Sequence, residues 1–169
     1  MNSQFLQEVV HYLKQHSLMV VTAESCTAGL LSSTLAEPPG CGAWLEAAYV
    51  TYSADAKIKA LEVDEEVIKR HGLTSEQVAR AMAHGAMRES KANLAISTTG
   101  VAGPSAGDGD VPVGTVCFAW LFKGNGDLKY FSETRHFSGD RNEVRRAATE
   151  YALQRIRHLH HTTLIQAGH

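Results

Sequence analysis

Val20-Val21-Thr22-Ala23-Glu24-Ser25-Cys26-Thr27-Ala28-Gly29-Leu30-Leu31 decides how this chain is read. Leu18 to Ala23 is short, apolar and β-branched, the composition of a buried strand, while Leu30, Leu31 and Leu35 recur at helical spacing after Gly29. The spacing predicts a strand running into a helix over about 27–36, with Ser25 at the corner. The first N–H groups of a helix have no intrahelical partner and carry partial positive charge, so such a corner suits an oxyanion or a phosphate. Two readings of Ser25 follow: a nucleophile or, like Thr27, an ordinary helix cap.

Outward from that corner, Ser3 to Gln15 sets Phe5, Val9 and Leu13 on one side of an amphipathic helix. Glu37-Pro38-Pro39-Gly40 forbids continuation of the second helix. Leu45 to Thr51 reads as a strand, and Tyr52-Ser53-Ala54-Asp55-Ala56-Lys57 turns into a helix with Ser53 or Asp55 in its first turn. A further helix opens at Asp64-Glu65-Glu66 and stops at Gly72. Thr74 to Gln77 has capping-box spacing and introduces a helix to about Ser90, with Val78, Met82 and Met87 inward. Asn93 to Thr98 is a strand leading into a glycine-rich loop from Thr99 to Asp110. Val111 to Phe122 and Leu128 to Phe137 read as a hairpin turned at Asn125-Gly126, and a last helix opens near Asp140 and runs toward His158, His160 and His161. Strands mixed with helices and then a hairpin indicate an α/β domain whose sheet is partly parallel and partly antiparallel.

At 169 residues and 44% hydrophobic content, the chain is expected to be one domain over 1–169, its core at about 3–158 and a tail at 159–169. A net charge of −2 gives no general attraction to nucleic acid or an anionic membrane, and neither is expected as a partner. No stretch approaches the roughly 18 apolar residues of a membrane span. Cys26, Cys41 and Cys117 form no CxxC pair, which argues against a disulfide framework or zinc site and favours a reducing cytoplasm. His158 and His161 share a face near a helix end, where histidine suits the dipole, so a metal is not expected. Arg141, Arg145 and Arg146, interleaved with Asp140, Glu143 and Glu150, read as a solvated helix face with one substrate contact.

Sites in open α/β sheets gather at the carboxyl ends of strands. Four polar corners lie there: Glu24, Ser25 and Thr27; Tyr52 and Lys57; Thr98, Thr99 and the following glycines; and Asp140 with Arg141. If they converge, Lys57 is the candidate base for Ser25, directly or through the Tyr52 hydroxyl, provided burial lowers its pKa. The alternative leaves Lys57 solvated and Tyr52 as packing. Glu24 either orients Lys57 or pairs with it.

Several of these segments taken together resemble a known family. Val21-Thr22-Ala23-Glu24-Ser25-Cys26-Thr27-Ala28-Gly29, Tyr49-Val50-Thr51-Tyr52-Ser53 with Ala56-Lys57, Thr99-Gly100-Val101-Ala102-Gly103-Pro104, Pro112-Val113-Gly114-Thr115-Val116 and Phe137-Ser138-Gly139-Asp140-Arg141 with Arg145 are similar to the CinA C-terminal domain. The resemblance covers nearly the whole chain and implies a three-layer α/β/α sandwich with a mixed sheet. It also implies hydrolysis of the carboxamide of nicotinamide mononucleotide to nicotinic acid mononucleotide and ammonia, a step in NAD salvage that needs no cofactor or metal. Ser25 would be the nucleophile, Lys57 the base and Tyr52 a hydroxyl that positions or relays the proton. Glu24, Cys26, Thr27, Thr99, Gly100, Gly103 and Arg141 would line the substrate site, with the phosphate at the Gly100 to Gly109 loop or Arg141. A homo-oligomer is expected. Ala28 stands where the family usually has a glycine, so an amidase for another small amide, or a nucleotide-binding paralogue without turnover, is the alternative.

Overall fold

The computed structural model of the chain describes residues 2–107, 110–124 and 127–167. Among these, β1 (Val20–Glu24), β2 (Leu45–Val50), β3 (Leu94–Gly100), β4 (Thr115–Lys123) and β5 (Leu128–His136) form one sheet in the order β2-β1-β3-β4-β5. β1 pairs in parallel with β2 and β3, whereas β3–β4 and β4–β5 are antiparallel. Helices α1 (Ser3–Gln15), α2 (Leu30–Ala36) and α6 (Arg141–Ala167) cover one face. α3 (Ala54–Leu61), α4 (Glu65–His71) and α5 (Glu76–Arg88) belong to the other. The result is a three-layer α/β/α sandwich with a mixed sheet.

Side-chain size differs between the two faces. β4 sends Val116, Phe118, Trp120 and Phe122 toward α1 and α6, and Cys117, Ala119 and Leu121 toward α5. The buried indole N–H of Trp120 donates to the Ala152 carbonyl at 3.0 Å. Under α5, small residues meet small residues: Ala79, Ala83 and Ala86 of the helix face Ala95 and Ala119 of the sheet. Gly85 extends this close packing to α3, because a Cβ at position 85 would stand 2.1 Å from the Leu61 carbonyl oxygen. Leu61 and Lys57 are four residues apart on one face of α3, and both are buried, so the α3–α5 approach also sets the depth of Lys57.

Edge strand β5 is tied down on both sides by polar contacts. Glu133 accepts from Tyr151 and Arg155 of α6, while Glu76 of α5 accepts from Ser132 at 2.6 Å and Thr134 at 2.8 Å. Burial pushes the Glu133 carboxyl up, but its bonds to Tyr151, Arg155 and Arg135 outweigh burial and hold it below the usual range.

Several boundaries differ from expectation for identifiable reasons. The second helix begins at Leu30, not near Thr27, because Ala28 (φ 49°) and Gly29 (φ 87°) are left-handed and break the helical path. The α5 cap is Ser75, whose hydroxyl accepts from the Val78 N–H at 3.2 Å, so the Thr74–Gln77 box does not form. A capping box occurs instead at the start of α6. Asp140 accepts from the Asn142 and Glu143 N–H groups at 2.8 and 2.9 Å, and Glu143 accepts from the Asp140 N–H at 2.7 Å. β4 starts at Thr115, four residues later than its apolar pattern suggests. Asn125-Gly126 lies outside the described residues, although Lys123 and Leu128 pair on either side of it. α6 continues to Ala167, and it buries Leu159 and His160, the latter 3.0 Å from the Tyr12 hydroxyl. No helix among the described residues is long and apolar enough to cross a membrane.

Alanine normally favours a helix interior over glycine by about 1 kcal/mol. Gly85→Ala is expected to do the reverse here, lowering stability by roughly 1–3 kcal/mol through overpacking against Leu61. Urea denaturation of the two proteins checks the sign.

Candidate active site

The alternation that buries Val21 and Ala23 on the α5 side of β1 carries Ser25 to the same side, one residue past the strand. The Ser25 N–H still follows β3, donating to the Thr98 carbonyl at 2.9 Å. From β2, the Thr51 N–H donates to the Glu24 carbonyl at 2.9 Å and draws the β2–α3 connection alongside. Ser53 caps α3 by accepting from the Ala56 N–H at 3.1 Å, and the helix then presents Lys57 to the sheet.

Lys57 Nζ lies 2.9 Å from Ser25 Oγ, 2.7 Å from the Thr51 carbonyl oxygen and 3.2 Å from that of Tyr52. Lys57 is 0% exposed and Ser25 only 7%. Among the described residues no carboxylate lies within ion-pair distance of Lys57. Burial lowers its pKa from 10.5 to about 8, with Cys26 opposing in part. The contact with Ser25 is direct and needs no relay. The Tyr52 hydroxyl is elsewhere, accepting from Arg141 Nη2 at 2.6 Å, and the Tyr52 ring is 54% exposed.

Glu24 neither orients Lys57 nor pairs with it. Its fully buried carboxylate accepts from Thr22 Oγ1 at 3.2 Å, Thr27 Oγ1 at 2.7 Å and the Leu31 and Ser32 N–H groups at 3.0 and 2.8 Å. It therefore caps α2, whose preceding residue Gly29 has no side chain to do so, and it does not meet Lys57. The positive end of α2 is answered by this carboxylate. The donors left at the turn belong to Cys26 and Thr27, whose N–H groups donate to no oxygen among the described residues. Burial pushes the Cys26 thiol up to about 12, with these two N–H groups and Lys57 opposing, so the thiol stays protonated at neutral pH. Ala28 holds a left-handed conformation at φ 49°, which costs an L-residue roughly 1–2 kcal/mol.

The other corners converge to different degrees. Thr99 is buried with its hydroxyl donating to the Leu73 carbonyl at 2.7 Å, and Gly100 is pressed against β4, 2.4 Å from the Thr115 oxygen if it bore a Cβ. The Gly103 carbonyl accepts from Arg141 Nη1 at 2.7 Å, so Arg141 bridges the loop after β3 to Tyr52. The Asp140–Glu143 box starts α6 so that Arg141 and Arg145, one turn apart, reach the same end of the sheet. Arg145 is not the solvated residue its sequence context suggests. Its Nη2 and Nε donate to the Thr27 carbonyl at 2.9 and 3.3 Å. The four-residue spacing from Arg141 was the available signal. No three His, Cys, Asp or Glu side chains among the described residues converge as a metal site would require.

Residues 2–160 match the family described as the CinA C-terminal domain. The chain is 42% identical over 154 residues to the nicotinamide-nucleotide amidohydrolase PncC of Escherichia coli K12, covering 90% of this chain and 91% of that protein. It is 41% identical over 156 residues to a putative competence-damage inducible protein of Symbiobacterium thermophilum, covering 89% of this chain but 37% of that longer one. The crystal structure of a competence-damaged protein (CinA) superfamily member from Escherichia coli superposes with a TM-score of 0.86 at 32% identity, covering 94% and 93% of the two chains. With residues 2–160 matched to the family and a 42% identical relative covered over nearly its full length, this chain belongs to the CinA C-terminal domain family.

Proposed function

We propose that this chain is a serine amidase that hydrolyses the carboxamide of nicotinamide mononucleotide, giving nicotinic acid mononucleotide and ammonia. The observation that carries the reading is the 2.9 Å contact between Ser25 Oγ and a fully buried Lys57 with a depressed pKa. Similarity to the Escherichia coli amidohydrolase supports the substrate.

The bonding of Lys57 matches the needs of a base. A neutral amine has two N–H donors and one lone pair. The Thr51 and Tyr52 carbonyls take the donors, and the lone pair is left for the Ser25 O–H. With a pKa of about 8, about a tenth of the enzyme carries neutral Lys57 at pH 7, against about 1 in 3,000 for an unperturbed lysine. Ser25 Oγ attacks the amide carbon as its proton passes to Lys57 Nζ. The carbonyl oxygen becomes negative and is received by the Cys26 and Thr27 N–H groups. Lys57 returns the proton to the amide nitrogen, the C–N bond breaks and ammonia leaves. Water then adds to the acyl-serine ester, giving its proton to Lys57, and collapse restores Ser25 and releases the acid. Arg141, an exposed fork between Gly103 and Tyr52, is the proposed phosphate contact, with Tyr52 positioning substrate at the rim.

Ser25→Ala and Lys57→Met are each expected to lower ammonia release by at least about 1,000-fold without loss of the fold, read by mass spectrometry of the acid product and by circular dichroism. Product from folded Ser25→Ala at the wild-type rate would sink the mechanism. A wild type that is stabilised by the mononucleotide yet releases no ammonia would be a binding protein instead. Because the lowered lysine must lose its proton to act, kcat/KM is expected to rise with pH and reach half its plateau near pH 8. A flat profile from pH 6 to 9 would exclude Lys57 as the base.

A further inference from the structure

Arg145 directs its guanidinium at backbone. Two of its nitrogens meet the Thr27 carbonyl, Nη1 reaches Asn142 Oδ1 at 3.2 Å, and no carboxylate among the described residues is within ion-pair distance. Thr27 is the most heavily bonded residue of the turn. Its carbonyl also accepts the Leu30 N–H at 3.1 Å. Its hydroxyl lies 2.7 Å from the Glu24 carboxylate and 2.7 Å from Thr98 Oγ1. The Thr27 hydroxyl donates to a Glu24 carboxyl oxygen, and its single proton being so used, it accepts from Thr98. Glu24 thus holds the side chain of Thr27 and the Arg145 guanidinium its carbonyl. The Thr27 N–H belongs to the residue that both contacts hold. The next residue, Ala28, sits in a conformation that local preference disfavours, so the turn depends on such outside contacts.

We propose that Arg145 is a positioning residue for the nucleophile turn: by gripping the Thr27 carbonyl it keeps the Thr27 and Cys26 N–H groups aimed at the oxygen that turns negative when Ser25 attacks. It does not touch substrate, and its task differs from that of Arg141, which spans Gly103 and Tyr52. The inference rests on the serine-amidase reading. It predicts a loss in the chemical step with little change in binding.

The test compares wild type with Arg145→Met and Arg145→Lys, with nicotinamide mononucleotide as substrate and a sulfonyl fluoride as a substrate-independent label for Ser25. Arg145→Met is expected to lower kcat about 10- to 100-fold while KM stays within about threefold, since one loosened oxyanion donor costs less than one removed. Arg145→Lys should recover less than tenfold of this, because an ammonium cannot fork onto one carbonyl. The pH midpoint should stay at the wild-type value, and the labelling rate of Ser25, followed by intact mass, should fall in parallel with kcat. Thermal melts report folding, and if Arg145→Met does not fold the same comparison is made with Arg145→Lys. A raised KM with unchanged kcat would make Arg145 a substrate contact and overturn the proposal, as would unchanged kcat and labelling. If the wild type is labelled yet leaves the mononucleotide intact, the substrate assignment fails alone and the labelling rates still decide the role of Arg145. A wild type that is neither active nor labelled overturns both.

Discussion

The site depends on a lysine held out of water with no carboxylate within ion-pair distance among the described residues. Removing an ammonium from solvent costs several kcal/mol even after relaxation, and a surface lysine would avoid that cost by staying solvated. Lys57 is kept inside because α3 is anchored at both ends: Ser53 caps its start beside β2, and its end at Leu61 rests against Gly85 of α5. Two carbonyls at the end of β2 offset part of the desolvation without supplying a negative charge. A carboxylate in their place would lower the energy of the ammonium and raise its pKa, making it a poorer base. The absence of such a group around Lys57, among the described residues, is thus what leaves a neutral amine accessible near neutral pH.

The turn after β1 solves a different problem. Its backbone visits left-handed space at Ala28 and Gly29, so it is not a helix start, and the N–H groups of α2 that could have received a negative oxygen are already bonded to Glu24. A buried carboxylate with four donors around it is well satisfied, and it ties the strand end, the turn and α2 into one unit. The electropositive feature near Ser25 is therefore the turn itself rather than the helix behind it.

The antiparallel half of the sheet contributes at a distance. β5 carries few apolar side chains for an edge strand, and it is held by Glu133 to α6 and through Ser132 and Thr134 to Glu76 of α5. Exposed ion pairs are worth at most about 1 kcal/mol each, but Glu133 is largely covered and bonded to Tyr151 as well as Arg155, a network rather than a lone pair. It fixes α6 on the sheet, and the Asp140–Glu143 box fixes where that helix begins. Arg141 and Arg145 reach the far corner of the site because both constraints hold.

Local pattern carried much of this into the sequence. Periodicity and caps decided α1, α3 and α4, and the strand-to-corner reading brought Ser25 and Lys57 forward as a pair, because a strand end and a first helical turn are short-range features. The capping box at 74–77 failed by one residue since Ser75 is the last extended position, a distinction composition does not record. Glu24 was legible as a residue beside Ser25 but not as the cap of α2, since that role follows from Gly29 lacking a side chain and from the fold of the turn. Arg145 read as solvated because its neighbours in sequence are charged, whereas its neighbour in space is a carbonyl 118 positions away. The sequence by itself determined the elements, the layered α/β class and the candidate nucleophile and base. Only the tertiary structure decided how deeply Lys57 is buried, what Glu24 bonds and which arginine holds the turn, because desolvation and hydrogen-bond partnership depend on atoms far apart along the chain.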